Sequence, residues 1–173
     1  MAVLGIRLFG DPVLRQRAPE VGVVDDAVRN LMRDMTETMI AAPGVGLAAP
    51  QVGVLKRVIV WRNEDEEGAL ADPKIIESKG LVTDSEGCLS LPGLNFPVER
   101  AQWVRMRGLD ANGNEVEIEA EEMTARIFQH EIDHIDGILF IDRIEPDLQR
   151  QARRILREQA LGITTSPSEA QAI

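Results

Sequence analysis

The chain of 173 residues is 44% hydrophobic and carries a formal charge of -10, with a pI near 4.7. That is enough apolar material for one core and too short a chain for two domains, while the acidic balance and the absence of any run approaching the roughly 20 apolar residues of a bilayer span argue against DNA and membrane partners. A single cysteine closes no internal disulfide, so a reducing, cytoplasmic setting is expected.

The opening segment, MAVLGIRLFGDP, is broken by Arg7 and Asp11 and lacks the long apolar run of a secretory signal, so it reads as part of the fold. Asp25 and Asp26 precede apolar residues at Val28, Leu31, Met32, Met35 and Met39, and that spacing predicts a helix over 25–41 with acidic residues at its start. Pro43 and Gly44 stop it. GVGLAAPQVG at 44–53 reads as a glycine-rich loop without regular structure. RVIVW at 57–61 is β-branched and aromatic and predicts a short buried strand, followed by a solvated turn, NEDEEG, at 63–68.

From 74 to 120 the pattern is that of antiparallel sheet: IIES, LVTDSEGCLSL, VRMRGLD and EVEIEA, the last two joined by the turn residues Ala111, Asn112, Gly113 and Asn114. A second helix is predicted over 122–136, ended by Gly137. A third, over 147–161 after Pro146, has Leu148, Ala152, Ile155 and Leu156 as its apolar stripe, and 163–173 reads as a frayed, flexible tail. The expectation is one domain over 1–162 of the α+β class, with antiparallel sheets packed around a central helix and a further C-terminal helix.

Both histidines of the chain fall in one pentamer, His130-Glu131-Ile132-Asp133-His134. On a helix, residues four apart share a face, so two imidazoles can meet one ion with Glu131 beside them, the arrangement of a hydrolytic metal site with the glutamate as general base. Such a site needs a third protein ligand and one open position. No third histidine exists, so that ligand is a carboxylate or Cys88, which lies 42 residues before His130 (130 minus 88) in EGCLS. Gly87 removes a side chain beside the thiol, and a thiolate with two imidazoles suits iron(II), zinc, cobalt or nickel better than calcium or magnesium. Against this stands the plainer reading of a cysteine that is simply buried.

GVGLAAPQVG at 44–53, EGCLS at 86–90 and QHEIDH at 129–134, in this order and spacing, resemble the three signature motifs of the peptide deformylases. The resemblance extends over about residues 3–160. It implies an enzyme that removes the formyl group from the N-terminal methionine of new polypeptides. Cys88, His130 and His134 would then be the metal ligands, with water in the fourth place and iron(II) as the native ion; nickel or cobalt would substitute, and zinc more weakly. Glu131 would take the proton as that water attacks the formyl carbon and pass it to the departing amine. Gln51 and the backbone N–H of Leu89 would donate to the developing oxyanion, and Gly46 would let the first motif run close to the substrate.

For the methionine side chain, Ile127 lies on the helical stripe of His130 and His134, with Leu89 or Leu91 as the facing wall. Arg100 and Arg107 are candidates for a peptide carbonyl or for a structural carboxylate such as Asp133. Between Leu148 and Leu161 of the last helix, Arg150, Arg153, Arg154 and Arg157 stand against the single Glu158. Part of that charge suits a helix C-terminus, and some deformylases contact the ribosome through this helix, so ribosome contact is a second expectation. The competing readings are a metallopeptidase, for which Glu145 would be the extra ligand, and a metal-binding or ribosome-associated protein without catalysis. Glu131 and Gln51 speak against the latter.

Overall fold

The structure, a computed structural model, describes residues 2–64 and 66–163. It is an α+β fold with three helices, α1 (Asp26–Ala41), α2 (Glu122–Ile135) and α3 (Pro146–Ala160). Seven strands form two antiparallel sheets. The larger has the order β1-β2-β3-β6-β7, from β1 (Gly46–Ala48), β2 (Val58–Arg62), β3 (Glu67–Lys79), β6 (Trp103–Leu109) and β7 (Glu115–Glu121). The smaller pairs β4 (Val82–Glu86) with β5 (Phe96–Arg100).

The apolar patterns explain this layering. In β2 both faces are covered: Ile59 and Trp61 join Ala125, Ile127 and Phe128 of α2, while Val58 and Val60 join Val28, Met32, Met35 and Met39 of α1. That is why RVIVW has no polar alternation. In β7, by contrast, Glu115, Glu117, Glu119 and Glu121 face water, and Val116, Ile118 and Ala120 turn inward. The edge-on contact of Trp61 with Phe128, with ring centroids 4.9 Å apart, locks α2 across the sheet. Asp25 caps α1 by accepting from the Val28 N–H at 2.9 Å, and α3 adds Ala152 and Leu156 to the core that also holds Phe96 and Val98 of the small sheet.

Two regions differ from the expectation drawn from sequence. GVGLAAPQVG is not an irregular loop: β1 pairs with β2, and a turn of 3-10 helix follows over Ala49–Val52. Apart from Gln51 its residues are apolar or glycine because the segment is largely buried, which erases the alternation of an exposed strand. EGCLS is not itself strand: β4 ends at Glu86, and Cys88 sits in the turn that follows. β5, which the sequence reading passed over, brings Phe96 and Val98 into the second core. Of the expected tail, all but Ile163 lies outside the described residues. Among those residues no helix is long and apolar enough to cross a membrane.

The small sheet is fixed to α2 by buried charge. The Glu86 carboxylate accepts from Arg100 Nε at 2.8 Å and Nη2 at 3.0 Å, from Arg126 Nη1 at 2.7 Å, and faces His130 Nδ1 at 2.9 Å. Arg126 also donates to the Val98 carbonyl at 2.9 Å and the Val82 carbonyl at 3.0 Å, one on each strand of the hairpin. Arg100 reaches Asp133 at 2.6 Å. Burial alone would raise the Glu86 pKa, but the hydrogen bond with His130 and the ion pair with Arg100 outweigh it and hold the carboxyl far below its ordinary range. Glu86→Ala, which leaves two buried guanidinium groups short of a partner, is therefore expected to lower unfolding stability by about 3–5 kcal/mol in a denaturant titration. Loss of less than about 1 kcal/mol would show that the network does not hold the sheet.

Candidate metal centre

The buried stripe of α2 carries His130, Glu131 and His134, and the turn after β4 brings Cys88 against it. His130 Nε2 and His134 Nε2 are 3.2 Å apart, and Cys88 Sγ is 3.2 Å from His134 Nε2. Together they form a cluster whose ligand atoms all lie within 4.8 Å of one another. The helix contributes the imidazole pair through its four-residue repeat. The thiol arrives because β4, anchored at Glu86, ends two residues before it.

Outer contacts orient the rings. Glu86, being ionised, accepts from His130 Nδ1–H and so leaves the lone pair of Nε2 facing the cluster. Burial holds the His134 imidazole neutral by pushing its pKa well below the ordinary value, with the neighbouring His130 adding to the effect. Burial also pushes the Cys88 thiol up to about 12, against hydrogen bonds from the backbone of Ser90 and Leu91 that favour the thiolate. Both oxygens of Glu131 and Nδ1 of His134 are buried without a protein partner. Burial, then the charge of Glu86, raises the Glu131 pKa well above the ordinary carboxylate value. Unpartnered carboxylate oxygens beside a sulfur and two nitrogens fit a divalent cation and water rather than a closed protein core.

Gly46 stands over this carboxylate. A Cβ there would lie 2.3 Å from Glu131 Oε1 and 2.9 Å from Ile127 Cγ2, so only glycine lets β1 pass. Ile127 is buried between Gly46 and the core around Trp61 and Phe128. The Gln51 side chain, also buried, accepts from the Ala48 N–H at 2.9 Å and directs its Nε2 to Ser90 Oγ at 3.2 Å and Cys88 Sγ at 3.6 Å. The half-buried Leu89 lies between Cys88 and Ser90, and its side chain meets Gly44.

Other residues singled out from sequence lie elsewhere. Leu91 is fully buried in the second core with Leu94, Phe96 and Phe140. Arg100, expected at the substrate, is corrected: its donors are engaged with Glu86 and Asp133, and its side chain is only 3% exposed. It fills the alternative role of partner to Asp133. Arg107 pairs with Glu117 on the neighbouring strand at 2.7 Å. Glu145 is exposed just before α3. Glu86, Arg126 and Ser90 went unassigned in the sequence reading. Charges inside the helical stripe at Arg126 and Asp133 were the available signal, since a charge on a buried face requires a partner.

The sequence model of the polypeptide deformylase family matches residues 3–150. The peptide deformylase of Acidothermus cellulolyticus is 46% identical over 96% of this chain and 96% of its own length. That of Halothermothrix orenii is 51% identical over 83% of this chain and 95% of its own. Among solved structures, a peptide deformylase from Legionella pneumophila superposes with a TM-score of 0.86 at 38% identity, covering 95% of this chain and all, 100%, of that one. The Ehrlichia chaffeensis enzyme in complex with actinonin gives 0.88 at 37% identity, over 92% of this chain and 98% of its own. With its sheets, its helices and its three motifs meeting at one buried cluster, the chain belongs to the polypeptide deformylase family.

Proposed function

We propose that Cys88, His130 and His134 hold one divalent metal ion, and that Glu131 moves the proton in the reaction of this family. The chain is a metal-dependent hydrolase that removes the formyl group from the N-terminal methionine of newly made polypeptides. What carries the residue assignment is the convergence of one sulfur and two imidazole nitrogens within 4.8 Å, beside a buried carboxylate that has no protein partner. Soft and borderline donors of this kind suit iron(II), nickel, cobalt or zinc. Iron(II) is the proposed native ion, in keeping with the family resemblance.

A divalent ion held there supplies the positive charge that polarises a carbonyl oxygen and brings the pKa of water toward neutrality. Glu131 accepts the proton as water attacks the formyl carbon and returns it to the departing amine; its raised pKa suits both tasks. Gln51 Nε2 and the Leu89 N–H donate to the oxyanion, each worth roughly 3–4 kcal/mol in comparable sites. Gly46 leaves the substrate backbone room beside Glu131, and Ile127 forms one wall of the methionine slot. Residues 1–162 form the single catalytic domain, working in the cytoplasm where formylated chains emerge.

The same reading extends to the ribosome. Arg153 and Arg157 are exposed on α3, whereas Ala152 and Leu156 of the same helix are core residues. Clustered guanidinium groups bind phosphate.

Three measurements follow. In protein purified without oxygen, Glu131→Gln is expected to lower kcat/KM for a formyl-methionyl peptide by roughly 10²–10⁴ with metal content unchanged; full activity sinks the mechanism. Because the Cys88 thiol ionises only near pH 12 without metal, uptake of the ion near neutrality displaces its proton. Apparent affinity, read by chelator competition, should then rise about tenfold per pH unit between about pH 7 and 9, and a flat profile would remove Cys88 from the ligand set. Reversing Arg153 and Arg157 to Glu, which spares the core, should weaken cosedimentation with ribosomes at least about tenfold; unchanged binding rules the helix out.

A further inference from the structure

We infer that Ser90 is a positioning residue that aims the Gln51 amide at the reaction centre, an inference resting on the role given to Gln51 above. Gln51 and Ser90 are both fully buried. The Ala48 N–H, 2.9 Å from Gln51 Oε1, can only donate, so the oxygen end of the amide must face it and the nitrogen end must face away. Nε2 then has Ser90 Oγ at 3.2 Å and Cys88 Sγ at 3.6 Å. Its two hydrogens are fixed about 120° apart in the amide plane. Donation of one to Ser90 therefore turns the other toward Cys88 and the cluster with His130 and His134.

Ser90 is itself held from outside the site. Its carbonyl accepts from the Phe9 N–H at 2.8 Å, and the Gln51 carbonyl accepts from the Arg7 N–H at 2.7 Å. The N-terminal segment thus ties the backbones of the two partners at a fixed spacing. The Ser90 N–H is directed at Cys88 Sγ, which leaves the hydroxyl as the group that reaches Gln51. With that hydroxyl removed, the amide is pinned at its oxygen end only and can rock about its terminal torsion, whose profile is broad. Donation to a developing charge requires an aimed hydrogen, whereas binding of the ground-state substrate does not.

In the metal-loaded enzyme, Ser90→Ala should lower kcat roughly tenfold with KM within about twofold. Metal content should match the parent, because the backbone bond to Cys88 is kept, and the thermal midpoint should fall by no more than a few degrees. In the zinc-loaded form, the Gln51 side-chain amide protons should exchange faster with water by NMR. In a Gln51→Ala background the same substitution should change kcat by less than about twofold, since a residue acting through Gln51 has nothing left to position. An equal loss in both backgrounds, a loss of metal, or an unchanged kcat overturns the inference. Full activity in Gln51→Ala alone removes the reading of Gln51 and this inference with it, while leaving the metal and proton assignments standing.

Discussion

One buried carboxylate sets the geometry of everything around the site. Glu86 ends β4, and Cys88 follows it by two residues, so whatever fixes Glu86 fixes the thiol. The partners that hold it are Arg100 on β5 and Arg126 on α2, and on α2 it also orients His130. The strand end that delivers the sulfur is therefore docked on the back of an imidazole of the same cluster. Buried ion pairs seldom add net stability over apolar packing. What this one contributes is register: it ties the hairpin to the helix at the point where two motifs must meet.

The chemistry of the cluster follows from its dryness. Without metal, burial drives three of the side chains toward their neutral forms: Glu131 and Cys88 upward, His134 downward. A cation held there would favour thiolate and carboxylate together, so the proposed ligand set and general base would be charged by the same event. Gly46 belongs to this logic. It lets β1 pass close over Glu131, which is fully buried.

Much of this was legible in the chain, and the failures have physical causes. α1, α2 and α3 announce themselves by apolar spacing and capping residues, and the pentamer with both histidines marks the site. The first motif hid its strand because a segment buried on both faces has no alternation to read. β5 was missed because Pro97 and the nearby Pro92 and Gly93 look like loop. The partners of Glu86 are invisible to spacing: Arg100 and Arg126 lie 14 and 40 residues away from it. Only a three-dimensional hairpin makes them neighbours. For that reason spacing leaves Arg100 open between a peptide carbonyl and a structural carboxylate, and the structure pairs it with Glu86 and Asp133 in the interior.

The site also straddles two cores, which shapes how it can fail. His130 and His134 ride on a helix seated against Trp61 and Phe128 in the main sheet. Cys88 belongs to the separate core of Leu91, Phe96, Phe140 and Leu156, under α3. A two-stranded sheet has little stability of its own, so its docking on α2 holds the thiol in place, and Phe140 of the same core stacks on His130 with ring centroids 6.2 Å apart. An ion bound by all three residues would bridge the two cores and stabilise the folded chain by an amount that grows with the logarithm of its affinity. The geometry of the cluster and the docking of the small sheet are thus linked, and the Glu86 network holds them together without any ion.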